Sequence, residues 1–465
     1  MLVPLPGELV ASGGGLALIR VVSLLCFCLA ALYAYRIAKE LGLGAWPTGF
    51  ALAYLALDQN QVFFGVAGME TQIAVAVLLA GVYYVLVEDY PKSGVALGLA
   101  LLARPDFVLW VAPAYLFLLL RNPARALRAG LISAAVVAPW LIFTTAYYGS
   151  PIPNTIVAKN QSFGPDFPSV AHPGAWIDYV GHLLSSHSHD WKLLAPFYER
   201  LFAVDTPIAY GLLKAVALLV LALAVVGAVA TWRRASWRPA IACVVLYAIY
   251  KIGFLGIGFN EWYAPPALAL IVLLAAAGLN RIASLISAAL RRRVAVSAAQ
   301  LAAVPAVVLA LAYAIQLPYA IPVEARVQHD IEDQVRVPLG QYLGRVVKPG
   351  QTIASESAGY VAYDTNATLY DFPGLVSTTV VDALKANPGY FGVGGVAALL
   401  LPDWLVMRPN ELESFRSAYP RAAARYRPVR RFRVPLDDSS LSVGGLDVVN
   451  VDRDFIVLRH RSAGT

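Results

Sequence analysis

Residues 262–280, WYAPPALALIVLLAAAGLN, contain no charged side chain. A helix rises about 1.5 Å per residue, so a run of this length nearly crosses the roughly 30 Å hydrocarbon core of a bilayer. The rest of the chain is similar in character, since hydrophobic residues make up 59% of it, charged residues only 14%, and the mean hydropathy is +0.63. This composition indicates an integral membrane protein rather than a soluble domain.

Similar apolar segments recur over the first 320 positions. In a bilayer such segments span as helices, because every backbone polar group must be satisfied within the segment. The sequence therefore predicts a polytopic α-helical membrane protein with about ten spans. They lie at 14–36, 46–62, 71–88, 92–104, 106–121, 128–147, 207–231, 238–257, 262–280 and 295–318. Two of them, 92–104 and 106–121, are short and meet at Arg104-Pro105-Asp106, where proline disfavours a helical conformation in the preceding residue.

Clusters of basic residues alternate with these spans and predict the orientation of the chain. They are Arg36 with Lys39, Arg121 with Arg125 and Arg128, Arg233 with Arg234 and Arg238, and Arg291 with Arg292 and Arg293. Arginine and lysine next to a span are held on the cytoplasmic side, so these clusters predict that side. The other connections then lie outside: the segment before Thr71, the Arg104 break, the loop 147–206, the turn 260–262 and all residues after 320.

Residues 321–465 differ from the rest. Charges become frequent, and short β-branched or aromatic runs at 351–355, 404–407 and 455–458 alternate with Gly- and Pro-containing turns. The sequence thus predicts a transmembrane domain at 1–320, with the outer loop 147–206, and a soluble extracytoplasmic α/β domain at 321–465.

Cysteine usage and net charge argue against a disulfide-stabilised protein and against a nucleic-acid-binding protein. Cys26, Cys28 and Cys243 all lie in predicted spans, so no disulfide framework is expected. The net charge of +7 is spread over the predicted cytoplasmic loops and the final domain, which favours contact with lipid headgroups over nucleic acid.

Several polar side chains lie at or near the predicted outer ends of spans. An ionisable group at membrane depth costs about 2.5–3.5 kcal/mol on insertion scales and is usually retained for a site or pathway. The candidate residues are the carboxylates Asp58, Glu70 and Asp106, the cations Arg104, Lys159, Lys214 and Lys251, and the polar residues Tyr148 and Asn154. Together they favour binding of an anionic lipid phosphate and of a hydroxyl that must lose its proton.

Structural alternatives stand beside these roles. In the structural interpretation, Arg104 and Asp106 are an ion pair that stabilises a helix break, and Glu70 complements the dipole of a helix N-terminus. In the same interpretation, Tyr148 anchors the chain at the membrane interface. The cations Lys214 and Lys251 extend to the headgroups. His182, His187 and His189 have a weakly metal-like spacing without companion cysteines, so no metal site is predicted.

Three motifs occur in a fixed order on successive outer connections. They are Gly-Met-Glu-Thr at 68–71, Ala-Arg-Pro-Asp at 103–106, and Tyr-Tyr-Gly-Ser-Pro-Ile-Pro-Asn-Thr at 147–155 with Ala158-Lys159. This order resembles the polytopic GT-C glycosyltransferases of bacterial envelopes, especially the actinobacterial branch that includes the terminal β-(1→2) arabinofuranosyltransferase. Asp-Phe-Pro-Gly-Leu at 371–375, preceded by Gly359-Tyr360 and Tyr363, resembles the C-terminal outer domain of that branch.

The resemblance implies an inverting transferase of the plasma membrane. Such enzymes pass a sugar from a polyprenyl-phosphate donor, decaprenyl-phospho-arabinose among them, to an envelope glycan or glycolipid on the outer face. On this basis Arg104 and Lys159, with Lys251 secondary, are expected to bind the phosphate, and Asn154 and Tyr148 to orient the sugar. Glu70 and Asp106 would shape the donor pocket. Asp371, Trp404 and Tyr360 are candidates for sugar contact, with core packing as the alternative. No cofactor is predicted, and a divalent cation is left open.

The sequence departs from this family at the N-terminus. GT-C enzymes carry a catalytic aspartate in the first outer loop, and residues 1–13 contain one acid, Glu8, in a Pro/Gly-rich stretch. We therefore expect that a first span and its outer loop are missing, which leaves Asp58, Glu70 and Asp106 as substitutes for the base.

Two other functions stay open. A lipid-linked sugar flippase would use midplane charges and internal repeats, neither of which the sequence contains. A catalytically inactive, glycan-binding homologue is favoured by the missing loop.

Overall fold

The computed structural model describes residues 9–10, 14–66, 69–163, 174, 207–254, 261–290, 296–315, 317–435 and 451–461. The described residues form two compact units. One lies within Met1–Trp140 and Phe167–Ala320, and the other lies within Leu141–Asp166 and Ile321–Thr465. The division after residue 320 coincides with the change in composition. Residues 141–163, however, group with the second unit, whereas the sequence analysis places 147–163 in an outer loop of the first domain.

The described part of the first unit is helical. Its helices are α1 (Gly14–Glu40), α2 (Ala45–Leu57), α3 (Gln59–Val66), α4 (Thr71–Leu86), α5 (Tyr90–Ala103), α6 (Val108–Arg121), α7 (Pro123–Tyr148), α9 (Pro207–Thr231), α10 (Arg238–Phe254), α11 (Ala264–Leu290) and α12 (Ala298–Ala314). The boundary between the units falls within α7. Each of the ten apolar segments picked out from the sequence contains helix among its described residues, but the segment 46–62, expected as one span, is divided at Asp58 between α2 and α3.

Three of the described helices are long and apolar enough to cross a membrane: Ala17–Glu40, Pro123–Tyr148 and Ala264–Leu290. Shorter apolar helices accompany them, among them α2, α4 and α12. The chain is a helical membrane protein. Helices α5 and α6 have 14 residues each, about 21 Å at 1.5 Å per residue, which is shorter than the hydrocarbon core.

Helix α11 forms the centre of the first unit. Every residue from Ala264 to Leu279 is buried, as expected of a helix that is apolar on all sides. Its contact with α9 depends on two glycines, because a Cβ added at Gly227 would lie 1.8 Å from the Leu274 carbonyl oxygen, and one at Gly278 would lie 1.9 Å from that of Leu223. Only glycine permits this backbone approach, which is a common device between helices in membranes.

The second unit is built on a mixed five-stranded sheet. In chain order its elements are α8 (Asn154–Phe163), α13 (Leu317–Val327), a π-helical segment (Gln328–Arg336), α14 (Val337–Val346), β1 (Thr352–Ser355), α15 (Gly359–Tyr363), β2 (Thr368–Asp371), α16 (Thr378–Ala386), α17 (Gly392–Leu400), β3 (Trp404–Met407), α18 (Pro409–Ala418), α19 (Pro420–Ala423), β4 (Tyr426–Arg433) and β5 (Asp454–His460). The strand order is β2-β1-β3-β5-β4, with β2, β1 and β3 parallel and β5 antiparallel to both of its neighbours.

Both faces of this sheet are covered by helices, so the strands alternate between two apolar cores. One face holds Ala354, Leu405 and Leu458 under α16, α17 and α18, and the other holds Ile353, Val406 and Val457 under α14. In the parallel part, Ser355 pairs with Asp371 and lies beside Val406, so the carboxyl ends of β1, β2 and β3 form one edge.

Candidate functional site

The Arg104-Pro105-Asp106 break joins α5 to α6 in the first unit. Arg104 has an extended backbone (φ −154°, ψ 128°), as proline requires of the residue before it, and Pro105–Phe107 form one 3-10 turn. The backbone N–H of Arg104 still donates to Ala100 O at 3.0 Å. Helix α5 therefore ends and α6 begins within a few residues, and the Arg104 side chain between them is buried.

The Arg104 guanidinium is 2% exposed, and protein groups surround it. Nε and Nη2 each donate at 3.0 Å to the Asp106 carboxylate, a bidentate pair. Nη1 donates to the Trp262 carbonyl oxygen at 3.0 Å, and the guanidinium lies 4.3 Å from the centroid of the Tyr263 ring. A buried arginine needs such pairing and hydrogen bonding to offset its desolvation. We call Arg104, Asp106, Trp262 and Tyr263 the Arg104 junction.

Glu70 lies at the edge of the Arg104 junction. It occupies the position before α4, its Oε1 is 3.9 Å from Arg104 Nη1, and its side chain is 44% exposed. Its carboxylate makes no capping hydrogen bond to α4. Glu70 is therefore an accessible acid beside a buried, neutralised ion pair. The neighbouring Gly68 of its motif lies outside the described residues.

The junction brings together the starts of three helices. Glu70 precedes α4, Asp106 lies in the turn before α6, and Trp262 and Tyr263 lie in the 3-10 turn before α11. A helix N-terminus is equivalent to about half a positive charge. The arrangement thus offers partial positive charge next to the exposed Glu70 carboxylate.

Asp58 lies elsewhere in the first unit and has a local role. It is 1% exposed at the junction between α2 and α3, and its Oδ1 accepts the backbone N–H of Gln61 at 3.0 Å. The Gln61 side chain bonds to the Tyr54 hydroxyl at 3.2 Å and to the Pro265 carbonyl oxygen at 3.1 Å. An aspartate that accepts from the third residue of the following helix is a helix N-cap, which accounts for this position.

In the second unit, the candidates Asp371 and Asn154 both bond to one loop. Residues 371–377 follow β2, and Asp371 accepts the backbone N–H groups of Leu375 at 2.5 Å and Val376 at 3.2 Å. Burial raises the pKa of Asp371, although these N–H groups act against the rise. Asn154, the first residue of α8, donates its Nδ2 to Gly374 O at 2.6 Å and to Leu375 O at 3.3 Å. We call 371–377 the Asp371 loop.

The Asp371 carboxylate is poorly placed to bind a sugar. It is 1% exposed, and its oxygens accept backbone N–H groups, so core packing, the alternative given above, describes it better. Trp404 is buried in β3 with its Nε1 donating to Gln351 at 3.0 Å. The Tyr360 hydroxyl bonds to Glu332, and burial together with Glu332 raises the pKa of Tyr360 to about 12.

The structure describes the side chains of some of the remaining candidates and not of others. Tyr148 ends α7, half-buried, with its ring 4.7 Å from that of Tyr147, and Lys159 is half-buried on α8. Lys214 and Lys251 lie on α9 and α10, but their side chains are outside what the structure describes. His182, His187 and His189 are also outside the described residues.

Sequence reasoning missed Trp262 and Tyr263 as partners of Arg104. The available signal was an aromatic pair at the very start of an apolar span. It also missed a network in the second unit, in which the buried Asp452 carboxylate accepts Arg408 Nε at 2.6 Å and Arg336 Nε at 2.9 Å. Among the residues that the structure describes, no three His, Cys, Asp or Glu side chains are grouped as a metal site would need.

Residues 326–451 match the family model described as a domain of unknown function (DUF8728). No curated protein matches this chain. The chain is similar to the solved structure of ArnT from Cupriavidus metallidurans in the apo state, with a TM-score of 0.47 and 12% sequence identity over 100% of this chain and 88% of that chain. Likeness at this level does not assign an activity.

Proposed function

We propose that this protein transfers a sugar from a polyprenyl-phosphate donor to an envelope glycan at the outer face of the plasma membrane, with inversion at the anomeric carbon. The observation that carries the proposal is the position of Glu70. An accessible carboxylate lies 3.9 Å from a buried, paired arginine in a membrane protein, where the starts of three helices meet. This arrangement supports a reaction that needs a base beside a phosphate.

The phosphate part of the proposal rests on electrostatics. Arg104 and Asp106 neutralise each other, so the junction attracts an anion through the N-terminal dipoles of α4, α6 and α11 rather than through a free cation. In the reaction, the acceptor oxygen attacks the anomeric carbon and polyprenyl phosphate leaves with the bonding electrons. Positive ends of helices stabilise that developing charge without having to move.

Glu70 is the proposed catalytic residue. Its exposed carboxylate is able to accept the proton of the acceptor hydroxyl, a role for which Asp58, which is buried and caps a helix, is poorly placed. Arg104 and Asp106 are positioning residues in this proposal. They hold the turn before α11 against the end of α5, next to the start of α4.

Further roles follow from the family resemblance and stay proposals. Lys159 and Lys251 are phosphate ligands, and Asn154 and Tyr148 orient the sugar. The second unit is extracytoplasmic, and arabinofuranose is one candidate sugar. The flippase and the inactive glycan-binding homologue are alternative outcomes of the experiment below.

Membranes that contain the protein are supplied with a panel of labelled polyprenyl-phosphate sugars, arabinofuranose included, and labelled glycan is measured. We expect transfer from one donor, and loss of roughly 10²–10⁴-fold in Glu70→Gln, the usual contribution of a general base. The matched control is Glu88→Gln, another exposed glutamate of the first unit, paired with Arg121 at 3.4 Å.

Transfer that persists unchanged in Glu70→Gln would overturn the assignment of the base. Movement of labelled donor across the bilayer without any transfer would replace the proposal with a flippase. Glycan binding without transfer from any donor would indicate the inactive homologue.

A further inference from the structure

We infer that the second unit contacts the bilayer directly, at the leaflet where α7 ends, through a rim made by Ile152, Val157, Val376, Tyr390 and Phe391. All five side chains are exposed, and they come from three separate segments of the chain. We call these five residues the uncharged rim. The inference concerns lipid contact and does not depend on the proposed transferase activity.

A hydrogen bond and two contacts between aromatic rings tie the three segments together. Asn154, between Ile152 and Val157, bonds to Gly374 O at 2.6 Å and so holds α8 on the loop that presents Val376. The Phe372 ring of the same loop lies 5.1 Å from the ring of Phe391. Tyr390 precedes Phe391 directly and stacks on Tyr419 with ring centroids 5.2 Å apart. The rim residues therefore share one region of the second unit, beyond the end of β2.

The uncharged sequence segments that carry the rim residues favour lipid as the partner of the rim. The segments 129–158, 372–381 and 386–402 contain no Asp, Glu, Lys or Arg. The opposite edge of the sheet differs sharply, because β4 carries Arg427, Arg430, Arg431 and Arg433 within eight residues. Exposed apolar and aromatic side chains without charges are typical of segments that lie in a membrane interface.

The chain itself brings the rim to the membrane. Helix α7, one of the helices able to span, ends at Tyr148, and the exposed Tyr147 suits a headgroup position. Asn154 follows six residues later, so it lies at most about 20 Å from the end of the span at about 3.3 Å per residue. The rim is thus within reach of the interface from which α7 emerges.

The test places a nitroxide label on the full chain in lipid nanodiscs. The three native cysteines are first replaced by Cys26→Ser, Cys28→Ser and Cys243→Ala. Labels at Val376→Cys and Phe391→Cys then report collision with oxygen, which dissolves in lipid, and with a water-soluble nickel complex. The matched control is Val429→Cys on β4, since Val429 is 39% exposed and Val376 48%.

We expect the ratio of oxygen to nickel collisions to be severalfold higher at 376 and 391 than at 429. A ratio at 376 and 391 equal to that at 429 would overturn the inference. Strong dipolar coupling between labels at 376 of two chains would also overturn it, because a second copy would then cover the rim. Circular dichroism of each labelled protein confirms that it remains folded, and since all three positions are exposed we expect no change.

Discussion

The Arg104 junction and the Asp371 loop both hold a largely buried aspartate, but they satisfy its carboxylate with different groups. Each contains a proline next to the end of a regular element and an aspartate that is largely withdrawn from solvent. In the first unit the aspartate is satisfied by an arginine side chain, and in the second by the backbone N–H groups of its own loop. At the Arg104 junction the carboxylate lies beside a buried arginine and is held by a full opposite charge, whereas at the sheet edge it is held by amides that no strand uses.

The largest expected loss of stability is at the Arg104 junction. Asp106→Asn leaves the buried Arg104 guanidinium with only the exposed Glu70 carboxylate, 3.9 Å away, as a counter-charge, and removing the close partner of a buried pair costs about 3–5 kcal/mol. The exposed pair of Glu88 with Arg121 provides the control, since Glu88→Gln should cost no more than about 1 kcal/mol. Thermal unfolding in detergent compares the two. Equal losses of stability would mean that the Arg104 junction is held by packing and not by charge.

The second prediction addresses the backbone of the Asp371 loop. Gly374 has φ +99°, and a Cβ there would lie 2.8 Å from Val381 Cγ2, so Gly374→Ala combines strain with a clash. Gly389 has a similar φ of +104° with nothing within 4 Å of the added Cβ, which makes Gly389→Ala the matched control. Strain alone costs roughly 1–2 kcal/mol, and we expect Gly374→Ala to cost more. Hydrogen exchange of 372–381 measures it, and equal effects at both sites would contradict the expected clash.

The third prediction separates the Asp371 loop from α8. Asn154→Ala removes two hydrogen bonds to the loop, and each is worth about 0.5–1.5 kcal/mol. Amides of both α8 and the loop should then exchange faster with solvent. Asn387→Ala removes a local bond to Ala383 O at 2.9 Å and should leave exchange at α8 unchanged. If Asn154→Ala also leaves it unchanged, α8 is held to the second unit by apolar contacts alone.

The smallest expected effect concerns charge at Asp371. Because burial raises its folded pKa above the unfolded value of about 4, its charged form is disfavoured in the fold. The second unit should therefore lose a little stability as the pH rises from below the unfolded pKa through the folded pKa. Asp371→Asn should remove this pH dependence at the loop, as followed by protease susceptibility between 371 and 381. A dependence that persists in Asp371→Asn belongs to another group.

Apolar composition predicted where helices of the first unit lie, but it did not predict the break at Asp58 within 46–62. The segment 106–121 corresponds to α6 at Val108–Arg121, and 295–318 to α12 at Ala298–Ala314, because burial in a bilayer leaves a helix as the spanning form. Strands β1, β3 and β5 are also present where β-branched and aromatic runs occur. Strand β4 was not predicted, since its arginines and Pro428 obscure the alternation that marks a half-buried strand.

The candidate site was less accessible to sequence reasoning. The proximity of Glu70 and Arg104 followed from assigning both to the same end of the spans. The partner of Arg104, Trp262, lies 158 residues away, and the bond from Asn154 to Gly374 joins residues 220 apart. Contacts of such separation depend on tertiary packing, which no local pattern encodes. For this reason Arg104 was expected to bind phosphate, whereas its donors point to Asp106 and Trp262.

Strand β5 has a consequence for the order in which the second unit is assembled. It comes after the other four described strands in the chain, yet it lies between β3 and β4 and pairs with both, Leu458 opposite Leu405 on one side and Phe455 opposite Phe432 on the other. Until the ribosome has released Asp454–His460, β4 has no neighbour and one edge of β3 stays open. The parallel strands β1, β2 and β3 precede β5 in the chain, so one edge of β3 is open to pairing with other strands until β5 is available.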